Sequence, residues 1–158
     1  MGSYTNECEI VETRGGSLYM TVRSGRRGLG KRLFSRSDDA GATWSEMGEA
    51  EGMIDPGCQA SIVRLSDSSS GDMDRVLLAN LDSTTRDNLT LRVSYDECET
   101  WPLSKVLYPG PAAYSDLAIA ADGTALCFYE AGVANPYETL QLAQFNVEWL
   151  TLGSEEPA

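Results

Sequence analysis

The chain has 158 residues, 42% of them hydrophobic and 23% charged, with 24 acidic side chains against 12 basic ones and no histidine. That is one domain or part of one, with apolar mass for a core but no run near the ~18 apolar residues of a membrane span. Lack of imidazole excludes Ser-His-Asp and Cys-His hydrolysis and the histidine-containing zinc sites, and a net charge of -12 lacks the basic footprint that nucleic acid or an anionic membrane surface requires.

In chain order, residues 1–7 carry neither a basic nor an apolar leader region, so no signal peptide is expected. Period-two alternation predicts short strands at 8–12, 18–23, 31–36, 60–65, 75–81, 89–94, 103–108, 117–120, 125–130 and 139–147. Turn signals separate them at Arg14-Gly15-Gly16-Ser17, at 68–74 and at Asp122-Gly123, where a tight hairpin is expected. The pattern is all-β, which leaves a sandwich, a barrel or a propeller. Cys8, Cys58, Cys98 and Cys127 contain no C-x-x-C and read as isolated thiols, with one or two bridges open in an oxidising compartment. Ten of the 12 basic residues are Arg, the side chain suited to planar, bidentate carboxylate recognition.

An internal repeat selects the propeller. Ser37-Asp38-Asp39-Ala40-Gly41-Ala42-Thr43-Trp44 and Ser94-Tyr95-Asp96-Glu97-Cys98-Glu99-Thr100-Trp101 share S-x-D-x-G-x-T-W, with Cys98 in place of the glycine. Each copy follows a predicted strand, where an Asp can accept from backbone N–H groups, a Gly can take a positive φ and a Trp can anchor the turn. This is the Asp-box of β-propeller blades, a structural element that does not carry catalysis.

Several segments, in order and spacing, resemble the C-terminal half of sialidases, the glycoside hydrolases that remove terminal sialic acid. They are NECEIVETRGGSLYMTVRS, DPGCQASIVRL, RDNLTLRVSYDECETWPLSKVLYPGPAAYSDLAI, ALCFYEAG and LAQFNVEWLT, the last two resembling closing strands. The resemblance implies a six-bladed propeller, with residues 1–152 as its C-terminal three to four blades and 153–158 as a short tail. It places Tyr114 at the nucleophile position, and sialidases are a known case of a tyrosine nucleophile in glycoside hydrolysis. A neutral phenol avoids repulsion from the carboxylate on the anomeric carbon, but with a reference pKa of about 10 it needs a base.

Glu7 occupies the position of that base, 16 residues before Arg23, with Glu9 and Glu12 as near alternatives. Arg23 and Arg86 match two of the three arginines that clamp the substrate carboxylate; Arg92 competes with Arg86, its structural role being to pack beside Trp101. Asn88-Leu89-Thr90 is also a glycosylation sequon, meaningful only in the secretory pathway. No metal or cofactor is implied. No R-I-P motif, which carries the first clamp arginine, occurs in the chain, and Asp38, Asp39 and Asp55 do not resemble the acid/base loop.

The expected function is an exo-α-sialidase acting on glycoproteins, oligosaccharides or gangliosides with retention of configuration, present as an incomplete chain. The implied partners are sialylated glycoconjugates and either N-terminal blades or a second half-propeller. The alternative is a non-catalytic glycan-binding or interaction propeller fragment. Family members occupy cytoplasmic, lysosomal, membrane-associated and secreted locations, so the resemblance selects none.

Overall fold

Period-two alternation builds two antiparallel sheets in the computed structural model, which describes residues 5–25 and 30–152. Strands β1 (Thr5–Glu12), β2 (Leu18–Ser24), β3 (Lys31–Ser37) and β4 (Gly48–Ile54) form the first. β5 (Ser61–Ser66), β6 (Arg75–Leu81), β7 (Asp87–Ser94), β8 (Leu103–Ile119), β9 (Ala125–Ala131) and β10 (Thr139–Phe145) form the second, again pairing sequence neighbours. Such up-and-down meanders are the units of which propellers are made. A five-residue helix, α1 (Val147–Thr151), follows β10.

Three elements differ from the sequence reading. β4 was not expected: its segment Gly48-Glu-Ala-Glu-Gly-Met-Ile54 has two glycines and two carboxylates, a composition poor in strand formers. Gly48 is required there because a Cβ would lie 2.6 Å from the Phe34 ring on β3. The strands expected at 103–108 and 117–120 are one continuous strand of 17 residues, β8. Pro109-Gly110-Pro111 does not break it, because this is where β8 leaves its pairing with β7 and takes up pairing with β9, next to register shifts in both ladders. The strand expected over 139–147 stops at Phe145, and α1 begins where Asn146 caps it by accepting from the Trp149 N–H at 2.9 Å. VEWLT is therefore helix and not part of a closing strand. The tail at 153–158 lies outside the described residues.

β6 shows how the pieces pack. All seven of its residues are buried, because alternate side chains feed two different cores. Leu77, Ala79 and Leu81 join Leu89, Leu91, Leu117 and Cys127 in the core under β7–β9. Val76 and Leu78, from the opposite face, join Val11, Tyr19, Ala50 and Met53 of the first sheet. The two sheets therefore meet face to face across a continuous apolar layer. Side chains reinforce this contact: the Glu9 carboxylate accepts from the Ile62 N–H at 2.7 Å, Glu97 accepts from the Arg14 N–H at 2.7 Å, and Arg64 donates to the Glu12 carbonyl at 3.0 Å.

Both Asp-box turns form, with matching hydrogen bonds. Asp39 accepts from the Thr43 N–H at 2.8 Å and its hydroxyl at 2.6 Å; Asp96 does the same with Thr100 at 2.8 and 2.5 Å. The bonds from Thr43, first its hydroxyl, push the Asp39 carboxyl down to about 2. Cys98 takes the glycine's role with φ 67°, against 89° for Gly41, so the substitution keeps the turn form and places a thiol in the inter-sheet core. Burial pushes that thiol up to about 12. The Trp44 indole is half-buried and donates to the Gly41 carbonyl at 3.1 Å. The four cysteines are unpaired, and Cys8 is exposed while the other three are buried.

Arg32 and Asp55 form an ion pair at 3.0 Å with both side chains fully buried. Arg32 also donates to Thr21 Oγ1 at 2.8 Å and to the Cys58 carbonyl at 2.6 Å, and Asp55 accepts from the Gly57 and Cys58 N–H groups. The pair thus ties β2 and β3 to the turn that leads into β5. Removing one partner strands a buried charge, so Asp55→Ala should cost about 3–5 kcal/mol in urea unfolding, and replacing both Arg32 and Asp55 by apolar residues should recover much of it. An Asp55→Ala midpoint equal to the wild type's would contradict this role.

Candidate active site

Three irregularities in the ladders gather the residues singled out in the sequence. In β1 the register jumps between Asn6 and Cys8 against β2, leaving Glu7 as the extra residue of a bulge with φ 41°. In β8 it shifts between Ala112 and Ser115 against β9, so Ala113 and Tyr114 face a single position. At the start of β7 it shifts between Asp87 and Leu89, with Asn88, two residues after Arg86, at φ 58°. Bulges re-aim side chains out of the regular alternation, and here they aim three toward one spot.

The result is a compact hydrogen-bonded group. Tyr114 donates its phenol O–H to Glu7 Oε1 at 2.5 Å. Arg23, on β2 opposite Asn6, places Nη1 on Glu7 Oε2 and 3.0 Å from the Tyr114 oxygen. The Arg86 guanidinium lies over the Tyr114 ring, 5.5 Å from its centroid. Tyr114 is 36% exposed, so it is not a core tyrosine. A cleft of about 330 Å³ flanks it on the side of Phe128 and Leu140.

Electrostatics fixes which group holds the proton. Partial burial works against the Glu7 carboxylate, but the bonds from Tyr114 and Arg23 outweigh it and hold the carboxyl below its ordinary value. The same bond to Glu7, with some burial, raises the Tyr114 phenol above 10.0. At neutral pH the pair is therefore carboxylate and phenol, with the phenol proton directed at the carboxylate. Burial also disfavours the charged forms of Arg23 and Arg86, yet both are raised, Arg23 by Glu7 and Arg86 by the Cys58 and Tyr137 groups near it.

The competing residues are engaged elsewhere. Glu9 faces β5, and the Glu12 carbonyl accepts from Arg64. Arg92 is taken up by Asn80 at 3.0 Å and Asp82 at 2.8 Å, and these two residues, rather than Trp101, hold its guanidinium. Asp55 pairs with Arg32, Asp39 holds its own turn and Asp38 accepts from Ser17. The Asn88 amide donates to the Asp82 carbonyl at 3.0 Å.

Sequence reasoning missed three contributors. Glu130 accepts from the Tyr114 N–H at 3.1 Å and Gln59 from the Ser115 N–H at 3.1 Å, satisfying donors at the β8 bulge. Tyr137, in the loop before β10, donates to or accepts from nothing in the core and instead takes a bond from Arg86 Nη1 at 2.5 Å. Glu130 and Gln59 lay inside segments that carried the resemblance, but no signal tied either to a role. Among the described residues, no cluster of three or more metal-ligating side chains occurs.

Residues 2–127 match the BNR repeat-like domain model, and the chain belongs to that family. The chain is similar to a sialidase of Micromonospora viridifaciens, 34% identical over 154 residues, covering 95% of this chain and 23% of that protein. Similar solved structures include a Hadza microbial sialidase (29% identity, TM-score 0.76, 93% of this chain and 28% of that one). The NanB sialidase of Streptococcus pneumoniae (22%, TM-score 0.82, 96% and 25%) and the intramolecular trans-sialidase of Ruminococcus gnavus (23%, TM-score 0.77, 99% and 35%) share the fold. The chain spans about a quarter of the Micromonospora sialidase, and its fold is a partial β-propeller.

Removing the Glu7 charge should release the Tyr114 phenol. In Glu7→Gln, the Tyr114 resonance in a tyrosine-labelled NMR titration should move down from above 10 toward or below it, because Arg23 and Arg86 then act unopposed. An unchanged titration would mean that the two groups do not touch in solution.

Proposed function

We propose that the chain carries the nucleophile and part of the carboxylate clamp of an exo-α-sialidase. Residues 1–152 are the C-terminal part of its propeller, acting on terminal sialic acids of glycoproteins, oligosaccharides or gangliosides. The observation that carries this reading is the Tyr114 phenol held on the Glu7 carboxylate with Arg23 bridging both. Arg23 and Arg86 bind the sugar carboxylate through charge-assisted hydrogen bonds, which brings the anomeric carbon to Tyr114. As the Tyr114 oxygen bonds to that carbon, its proton passes to Glu7 and the glycosidic bond breaks, its electron pair leaving with the aglycone. Water later cleaves the tyrosyl link, Glu7 returning its proton to the phenol while the water's proton passes to the acid that had protonated the aglycone, and two inversions give retention.

The aspartate that protonates the aglycone and the first clamp arginine have no counterpart in the sequence, and in this reading they come from blades supplied by N-terminal sequence or by a second half-propeller. The second sheet supports such an attachment: β10 is its edge strand, and Leu140, Leu142 and Phe128 are 64, 57 and 47% exposed. A non-catalytic glycan-binding role is the second reading, favoured by the two arginines standing without an acid.

A fluorinated sialic acid separates the readings, because fluoride departs without a proton donor. The chain should become labelled at Tyr114, seen by mass spectrometry: the Tyr114 oxygen bonds to carbon, fluoride leaves and Glu7 takes the proton. Glu7→Gln should slow labelling about 10²–10⁴-fold and Tyr114→Phe should abolish it. The rate should fall only below pH 4.5, since Glu7 must be ionised and its carboxyl lies under that value. Labelling that survives Tyr114→Phe misassigns the nucleophile, and binding with no labelling supports the glycan-binding reading.

A further inference from the structure

We infer that Tyr137 is a positioning residue that sets Arg86 in its carboxylate-binding orientation, so that an exposed loop outside every recognised motif controls selectivity for the anion. The inference rests on the proposed carboxylate clamp. A free arginine samples many rotamers, and binding a ligand through it means ordering it first. Arg86 is already ordered: Nη1 donates to the Tyr137 hydroxyl at 2.5 Å, and the guanidinium lies 5.9 Å from the Tyr137 ring centroid and 5.5 Å from that of Tyr114. The Tyr114 ring thus holds the cation by its π face while the Tyr137 hydroxyl, at the edge of its ring, sets the guanidinium's rotation. With five N–H donors, a guanidinium that spends one on Tyr137 keeps others for a carboxylate.

This role requires a stiff support, and the loop has one. Glu138 accepts from the Val133, Ala134 and Asn135 N–H groups at 2.7, 3.0 and 3.1 Å, and the Asn135 side chain accepts from the Tyr137 N–H at 3.0 Å. The loop is anchored where it leaves β9: the Gly132 N–H donates to the Pro111 carbonyl at 3.0 Å and its own carbonyl accepts from the Tyr108 hydroxyl at 2.8 Å. A Cβ at Gly132 would lie 1.9 Å from the Asn135 oxygen, so only glycine permits this closure. Tyr137 is nevertheless 58% exposed. A large aromatic held rigidly at the surface, bonded only to a clamp arginine and to its own loop, has a use at the site rather than in the core.

The test uses the full chain, the methyl α-glycoside of sialic acid, and the methyl ester of the same glycoside, which lacks the negative charge. Tyr137→Ala should weaken binding of the carboxylate about tenfold or more, and Tyr137→Phe, which keeps the ring but loses the hydroxyl, about threefold. Ester binding should be unchanged in both, and the thermal midpoint should hold because the side chain is outside the core. In guanidinium-detected NMR without ligand, rotation about the Arg86 Cζ–Nη bonds should be restricted in the wild type and released in Tyr137→Phe. Wild-type affinity for the carboxylate in Tyr137→Ala would overturn the inference, as would equal losses for acid and ester, which would make Tyr137 a stacking wall. A wild-type chain that binds acid and ester equally overturns the clamp itself, and this inference with it.

Discussion

The hydrogen bond between Tyr114 and Glu7 joins residues 107 positions apart on two different sheets, and the site exists only because those sheets meet. Neither partner is positioned by regular strand geometry. Each sits at a bulge, where an extra residue breaks the alternation and turns a side chain toward the sheet junction. The sheets supply the rigidity and the irregularities supply the aim. Glu130 and Gln59 then satisfy N–H groups at the β8 bulge, so the departure from the ladder carries no unpaired donor there.

Beneath this group the inter-sheet layer is continuous. β6 feeds both of its faces into cores, and Glu9, Glu97 and Arg64 each bond to backbone on the side of the other sheet. The buried Arg32–Asp55 pair locks the turn that delivers Gln59, and through it Ser115, to the site. Such a pair contributes less to net stability than its geometry suggests, since both charges lose their hydration. Its effect is directional: one arrangement of the 55–58 turn brings both Asp55 and the Cys58 carbonyl to Arg32, and that arrangement leads into β5. The protein's net charge of -12 is locally offset at the site, where two guanidinium groups lie within contact distance of Tyr114.

Much of this was legible in the sequence, for identifiable reasons. Strands such as RVLLANL and ALCFYEA announced themselves by β-forming residues between turn signals, and the two Asp-boxes by identical side-chain chemistry at identical spacing. β4 was not legible, because a glycine there answers to the Phe34 ring and not to strand propensity. The continuity of β8 was hidden by two prolines whose cost is absorbed at a change of partner strand. Glu7, Arg23, Arg86 and Tyr114 could be found only by their spacing within a family resemblance; as residue types, a glutamate and a tyrosine signal nothing. Tyr137 left no trace in the sequence because its role arises from a loop closed by Gly132 and Glu138, contacts that have no periodicity to read.

Glu7 and Tyr114 are in direct contact across the sheet junction, and a double-mutant cycle in urea unfolding measures that contact. Glu7→Gln, Tyr114→Phe and the double variant should give a coupling energy of about 0.5–1.5 kcal/mol, the range of a partly exposed hydrogen bond to a charged group. Effects that add to within about 0.3 kcal/mol would contradict the contact and, with it, the account of how the two sheets build one site.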